Sequence, residues 1–323
     1  MSRAVVVGGG IAGLCAALRL EQLAPGAEVV VVEAAPLSLA ATFPHLRELE
    51  LEHGSVMRGL LARGGGTAAP PFASLRGGMG DLVAAIKYRL ARTKVVCGRA
   101  VVEVRRGTGG SGYVVRLDGA ETLAADAVVL ATPAYATAGL VGSLDADLAE
   151  AHVAIPYGSS AIVTLAYPAS SVARPLDGYG YVVPRVEGSE VLACTWSSSK
   201  WEGRAPDHHA LIRVYLGRFG RRDVTADPDE ALVAAARREV IEMLGADADP
   251  ILARVRRWPR SMPQYVLGTV ERRAVIERRV NEHPGLAVAG AAYRGVGIPD
   301  CIASGEAAAE RGAAAVTGQG HRP

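Results

Sequence analysis

The chain is poor in the residues that announce several protein classes. It has four cysteines in 323 residues, Cys15, Cys97, Cys194 and Cys301, and none stand at the close spacing of a zinc site or a disulfide framework. That excludes a small stapled scaffold and points to a reducing cytosol. Lysine is nearly absent, with only Lys87, Lys94 and Lys200 among 35 basic residues, and the arginines are scattered over every segment rather than clustered. Against 33 acidic residues the formal net charge is only +2, so the electrostatic footprint of a nucleic-acid binder is missing. No apolar run approaches the roughly 18 residues of a membrane span. The apolar start is broken by glycines and does not read as a signal peptide. Peripheral membrane contact leaves no compositional trace and stays open.

Half of the residues are apolar, enough for a sizeable core in two intertwined lobes. Ala4 to Val7 reads as a buried strand, Leu14 to about Leu23 as a helix ended by Pro25-Gly26, and Val29 to Val32 as a second buried strand. Together they form a β-α-β unit of a parallel sheet. Leu82 to Leu90 reads as a helix with Asp81 as its N-cap. Val101 to Val104, Tyr113 to Leu117 and Ala127 to Leu130 are strand-like. From about residue 151 alternating strands follow: Ala161 to Tyr167, Tyr179 to Val183, Val191 to Trp196 and Leu211 to Leu216. A helix at Asp229 to Leu244, a strand at Ile251 to Trp258, a helix at Thr269 to Val280, a strand at Leu286 to Ala289 and an Ala-rich helix from Cys301 complete the reading.

The fold expected is therefore α/β. A Rossmann-like lobe of parallel sheet, helices and β-meander is drawn from residues 1–35, 76–150 and 281–323. A second lobe on a mostly antiparallel sheet is drawn from 36–75 and 151–280.

Gly8-Gly9-Gly10-Ile11-Ala12-Gly13 is a G-x-G-x-x-G turn between a strand and a helix, and that context gives the pattern its weight. Gly8 allows the tight turn, Gly10 lets the backbone approach a pyrophosphate, and Gly13 lets the helix pack close to the strand. Unpaired N–H groups at the helix start then face the phosphates. Glu33, 20 residues after Gly13, stands where a carboxylate accepts hydrogen bonds from ribose hydroxyls. This turn alone does not separate NAD from FAD. A second helix start, Gly295-Val296-Gly297-Ile298-Pro299-Asp300, separates them better, because its positive end can stabilise charge on a reduced flavin. The plainer alternative is an ordinary helix start entered through Pro299 and Asp300.

Six segments, VVVGGGIAGLCAAL, LRGGMGDLVAAI, AVVLATPAYA, ACTWSSSKW, RWPRSMPQY and GAAYRGVGIPDCIASGEAA, occur in one order along the chain. Together they resemble the FAD-dependent coproporphyrinogen III and protoporphyrinogen oxidases of bacteria. The Gly- and Arg-rich style resembles actinobacterial members, which ranks coproporphyrinogen III first as substrate. The resemblance implies a six-electron oxidation of a porphyrinogen to a porphyrin in haem biosynthesis, with FAD as cofactor, dioxygen as acceptor and hydrogen peroxide as by-product. It implies that Gly8, Gly9, Gly10, Ile11, Ala12 and Gly13 hold the pyrophosphate, Glu33 with Ala34 the ribose, and Val101 the adenine. Val296, Gly297 and Ile298 border the isoalloxazine. Trp258 is a flavin-side candidate, with a core aromatic as the equal alternative. A cytosolic enzyme, free or loosely at the membrane, with a porphyrinogen substrate and room for a haem-pathway protein partner, completes that picture. No catalytic residue is named by it.

One departure from the family pattern stands out. After Glu33-Ala34-Ala35 the chain passes directly to Pro36-Leu37-Ser38-Leu39-Ala40-Ala41-Thr42-Phe43, which resembles a stretch lying much further along in the family. A long middle segment is missing, and in the family it completes the diphosphate site and builds the helical wall of the cavity. Two other readings follow: a catalytically silent relative that binds a nucleotide, porphyrin or partner, and an amine-oxidase-like flavoenzyme with an aromatic cage. Of the remaining constellations, His208-His209 lack further ligands and Ser197-Ser198-Ser199-Lys200 lacks an oxyanion elbow, so both read as loops. No metal is expected. Arg254, Arg256, Arg257 and Arg260 are candidates for propionate pairing, with a solvated strand face as the plainer reading.

Overall fold

The computed structural model describes residues 2–33, 74–110 and 112–317. In chain order these form β1 (Arg3–Val7), α1 (Ile11–Leu23), β2 (Glu28–Glu33), α2 (Gly80–Arg89), β3 (Lys94–Cys97), β4 (Val101–Arg106), β5 (Tyr113–Leu117), β6 (Thr122–Ala125), β7 (Ala127–Leu130), α3 (Ala134–Val141) and α4 (Ala146–Val153). There follow β8 (Tyr157–Pro168), β9 (Gly180–Val182), β10 (Val191–Trp196), α5 (Ser197–Lys200), β11 (His209–Leu216), α6 (Asp229–Leu244) and β12 (Leu252–Pro263). The last elements are α7 (Thr269–Asn281), β13 (Leu286–Val288) and α8 (Ile298–Val316). Two compact units result, Met1–Pro156 with Tyr265–Pro323, and Tyr157–Gln264.

The first unit is built on a five-stranded sheet of order β13-β7-β1-β2-β3, every pair parallel. Its strands are β-branched on both faces because both are covered. Ala4, Val6, Val29, Val31, Ala127 and Val129 pack into the core formed with α1 and α8, and Val5, Val30 and Val128, of the opposite parity, are fully buried as well. Leu14 and Leu20 of α1 are completely buried, so truncating either to Ala would cost about 2–5 kcal/mol. A three-stranded antiparallel meander, β4-β5-β6, completes this unit. The second unit is a five-stranded sheet of order β12-β8-β11-β10-β9, every pair antiparallel, with α6 over one face.

The expected α/β architecture, a parallel Rossmann-like sheet with a meander and a separate antiparallel sheet, is the one observed. Differences are local. Asp81 is not the N-cap of α2: Met79 holds that position without a side-chain cap, and the Asp81 carboxylate lies in the first turn close to Gly77. Ser197 to Lys200 is a single helical turn rather than a loop, with Ser198 Oγ accepting the Leu211 N–H at 3.1 Å. Helix α7, expected within the lobe ending at residue 280, lies in the first unit, where Arg279 reaches Asp145 at the head of α4. Strand β3 and helices α3 and α4 escaped the sequence reading, being short and without clear periodicity. Residues 36–73 of the expected second lobe lie outside the described residues.

Candidate dinucleotide site

The glycine turn is shaped by three different steric demands. Gly8 has φ +103°, and a Cβ there would lie 2.8 Å from the Ala131 carbonyl oxygen. At Gly13 a Cβ would lie 1.9 Å from the Gly8 carbonyl oxygen, so only glycine lets α1 close onto the turn. Gly10 differs: nothing stands within 4 Å of its would-be Cβ, which leaves a cradle at the mouth of α1. Gly10 is the N-cap of α1, no side chain caps it, and the first turn holds no acidic residue. The first intrahelical bond runs from the Leu14 N–H to the Gly10 carbonyl at 2.9 Å, so the N–H groups of Ile11, Ala12 and Gly13 precede the helical ladder. Such an end, with its partial positive charge, suits an anion.

Glu33, at the end of β2, joins this turn directly, because its Oε2 accepts the Gly9 N–H at 2.6 Å. Parallel pairing sets that contact: Val7 lies opposite Val32, so the strand ends meet beside the turn. The open cradle and the acceptor beside it fit the diphosphate and ribose of a dinucleotide. Ala34 lies outside the described residues.

Helix α8 packs on the same corner. A Cβ at Gly305 would lie 2.2 Å from the Ala12 carbonyl oxygen, so α8 runs in close contact with the first turn of α1. Ile298, at its start, is seven residues earlier, about 10 Å along the axis. The loop ahead of it is pinned three times. Tyr265 Oη donates to the Ala291 carbonyl at 2.6 Å and accepts the Gly295 N–H at 2.7 Å. Buried Ser304 Oγ accepts the Gly290 N–H at 3.0 Å. His152, fully buried, places Nε2 3.1 Å from Tyr293 Oη while its Nδ1 lies 2.7 Å from the Leu148 carbonyl. That carbonyl fixes the tautomer: Nδ1–H donates to it, and Nε2 accepts from the tyrosine. Burial lowers the His152 pKa, with the Leu148 hydrogen bond opposing, so the ring is neutral. Asp300, in the first turn of α8, accepts the Gly297 N–H through Oδ2 at 3.2 Å, the half of a capping box that a glycine N-cap allows.

Asp145 anchors the helices behind this loop. Its side chain is about 1% exposed, caps α4 through the Leu148 N–H, and receives Arg279 and His283 Nε2 at 2.7 and 2.8 Å. Burial alone would raise its pKa, but the bonds from Arg279, Leu148 and His283 together carry it down to about 2. The thiols of Cys15 and Cys301 are pushed up to about 11 by burial and are inert packing groups.

The structure brings Gly8 to Gly13 and Glu33 together and sets α8, which begins at Val296-Gly297-Ile298, against the first turn of α1. Val101, half-buried, heads β4 in the first unit. Trp258 stands on β12 of the second unit, under the Arg256 guanidinium at 5.0 Å from the ring centroid. Tyr265 and His152 were not legible as site residues, since they act across 30 and 141 residues of chain. Asp145 was missed as well, although an Asp ahead of a short helix is the N-cap signal that could have found it.

The sequence profile of the flavin containing amine oxidoreductases matches residues 35–311, and that of an NAD(P)-binding Rossmann-like domain matches residues 6–55. The chain belongs to the flavin containing amine oxidoreductases. FAD is the dinucleotide that this membership and the glycine turn together call for. Among curated relatives of this flavoprotein, the coproporphyrinogen III oxidase of Bacillus subtilis (strain 168) is 34% identical over 282 residues, 84% of this chain and 59% of its own length. The coproporphyrinogen III oxidase of Propionibacterium freudenreichii is 33% identical over 311 residues, 85% of this chain and 57% of its own. The flavoprotein thus spans a little over half the length of these relatives. A solved structure from Exiguobacterium sp. 255-15, named provisionally as a protoporphyrinogen oxidase, shares the fold with TM-score 0.79 at 20% identity, covering 96% of this chain and 98% of its own. Among the described residues, no helix is long and apolar enough to cross a membrane.

Proposed function

We propose that the protein is an FAD-dependent oxidase of coproporphyrinogen III, with protoporphyrinogen IX as the nearest other substrate. The observation that carries this reading is the 34% identity to the Bacillus subtilis coproporphyrinogen III oxidase across 84% of the chain. The open start of α1, with Glu33 beside it, supports the cofactor.

In this reading the backbone of Gly8, Gly9, Gly10, Ile11, Ala12 and Gly13 holds the diphosphate and Glu33, with Ala34, the ribose. Val101 meets the adenine, and Val296, Gly297 and Ile298 border the isoalloxazine. Trp258 is the weakest of these assignments, a core aromatic being the equal alternative. The chemistry that FAD supplies when bound is the acceptance of hydride equivalents and their return to dioxygen. A porphyrinogen loses six electrons and six protons on becoming a porphyrin, so three dioxygen molecules leave as three of hydrogen peroxide. The chain's own residues bind and orient: α1 neutralises the diphosphate, and Tyr265 and His152 hold the 290–297 loop in one shape. The reading places the enzyme in the cytosol or loosely at its membrane, passing product to a haem-pathway partner.

A second reading, a fold-retaining relative that binds nucleotide or porphyrin without turnover, is favoured by the 59% coverage of the same relative. The visible absorbance spectrum of the purified protein, before and after addition of FAD and removal of the excess, separates the two. Stoichiometric bound flavin followed by coproporphyrinogen III consumption with peroxide release is the expected result. A colourless protein that FAD does not reconstitute would overturn the oxidase reading.

A further inference from the structure

Among the described residues, the sheet of the second unit has one face covered by α6 and one without a helix of this unit, and the pairing register assigns the paired strand residues to one or the other. Val163, Val214 and Val255 lie on the covered face. On the other, Arg254, Thr164 and Arg213 stand directly opposite one another across β12, β8 and β11. Arg256 lies two residues along β12, in register with Ile162 and, through it, Tyr215. At backbone level Arg254 and Arg213 are two strands apart, about 10 Å, and Arg254 and Arg256 about 7 Å. No Asp or Glu occupies a registered position on this face.

Several other arginines of the unit are held by partners, whereas the side chains of Arg174, Arg221 and Arg238, like these three, have none among the described residues but lie off this strand face. Arg257, adjacent in sequence but on the covered face, pairs with Asp229. Arg222 pairs with Glu190 and Asp227, and Arg218 donates to backbone carbonyls of Val183, Ser189 and Val191. Among the described residues, the guanidinium groups of Arg213 and Arg254 make no hydrogen bond and no ion pair, and that of Arg256 has only the Trp258 ring. Trp258 stands on this same face, opposite Ser160, and its Nε1–H is buried with no hydrogen-bond partner among the described residues. All three cations are exposed and solvated, but standing together with no acidic neighbour in register they give this face a positive potential that draws an anionic ligand. A guanidinium is the side chain best shaped for a carboxylate.

We propose that this face is a carboxylate-binding surface for the propionates of the porphyrin macrocycle, and that Arg213, Arg254 and Arg256 select four carboxylates over two. The identity of the ligand rests on the oxidase reading; the cationic row rests on the sheet itself. The test is equilibrium binding to the full-length protein, followed by the visible porphyrin band, of coproporphyrin III with four propionates, protoporphyrin IX with two, and coproporphyrin tetramethyl ester with none. The expected order is the order of charge, weakening with salt. Each of R213Q, R254Q and R256Q lowers coproporphyrin affinity about tenfold, with a smaller loss for protoporphyrin, and R254K restores part of it. R238Q, an exposed cation on α6, is the control.

Wild-type binding of coproporphyrin that survives all three substitutions overturns the proposal, as does an equal loss for the ester. If coproporphyrin binds through the arginines but coproporphyrinogen is not oxidised by the FAD-loaded protein, the oxidase reading fails and the surface stands. If the protein oxidises coproporphyrinogen and the triple variant keeps its KM, the surface fails and the reading stands. Failure to bind either porphyrin overturns both.

Discussion

Two helix starts in the first unit meet opposite conditions. Helix α1 begins at Gly10 with no side-chain cap and no acidic residue in its first turn, whereas α8 begins at Gly297 with Asp300 turned back onto the Gly297 N–H. The first leaves its leading N–H groups and its whole positive end for a ligand. The second has one N–H already occupied and part of its field offset by a carboxylate. A diphosphate carries full charges and needs the open end; a ring that gains charge only on reduction needs a weaker, tunable one. In the proposed reading the same secondary structure does two electrostatic tasks, set by one acidic residue.

The sharpest way to break this comparison is at the turn itself. Gly13→Ala puts a methyl 1.9 Å from the Gly8 carbonyl oxygen, so the turn must open. Loss of retained FAD together with a lower melting temperature is expected, and a variant that stays yellow would show that close packing does not shape the turn. Gly10→Ala separates cradle from fold, because its methyl meets nothing within 4 Å. The melting temperature of the FAD-free protein should be unchanged while FAD affinity falls about tenfold, or 1.4 kcal/mol, in a fluorescence titration.

The loop ahead of α8 is tested through pH. His152 is held neutral by burial, so its folded pKa lies below the unfolded value of about 6.5. The unfolded chain therefore binds more protons in this window, and the stability that the neutral ring contributes, complete above pH about 6.5, is lost as pH falls through the folded pKa. Thermal melts between about pH 5 and 8 should fall at the acid end, less steeply in His152→Gln. A variant with the wild-type slope would remove His152 as the cause. The smallest effect belongs to Asp300→Asn, which keeps an acceptor for the Gly297 N–H and removes the charge. Stability should change by less than about 1 kcal/mol, while the reduction potential of bound flavin moves positive. A potential that stays put would break the contrast between the two helix starts.

The glycine turn was legible because each part of it is local: strand, tight turn and helix follow within about ten residues, and Gly, Val and Ala have strong local preferences. Glu33 was legible by its spacing. The β-α-β unit, the antiparallel second sheet and helix α6 were also legible, from apolar runs and periodicity. The Tyr265 clamp, the His152–Tyr293 bond and the Asp145 cluster were not, since each joins segments far apart in the chain and has no period to betray it.

Arg256 and Arg257 mark the boundary. Sequence alone determined that they lie on an Arg-rich strand, and that neighbours on a strand point to opposite faces. Only the pairing of β12 with β8, and the choice of α6 to cover one face, decided which arginine meets Asp229 and which is left without a carboxylate. Alternation is a property of the local backbone; which side becomes interior is a property of the whole sheet, settled by where the largest apolar surface can be buried.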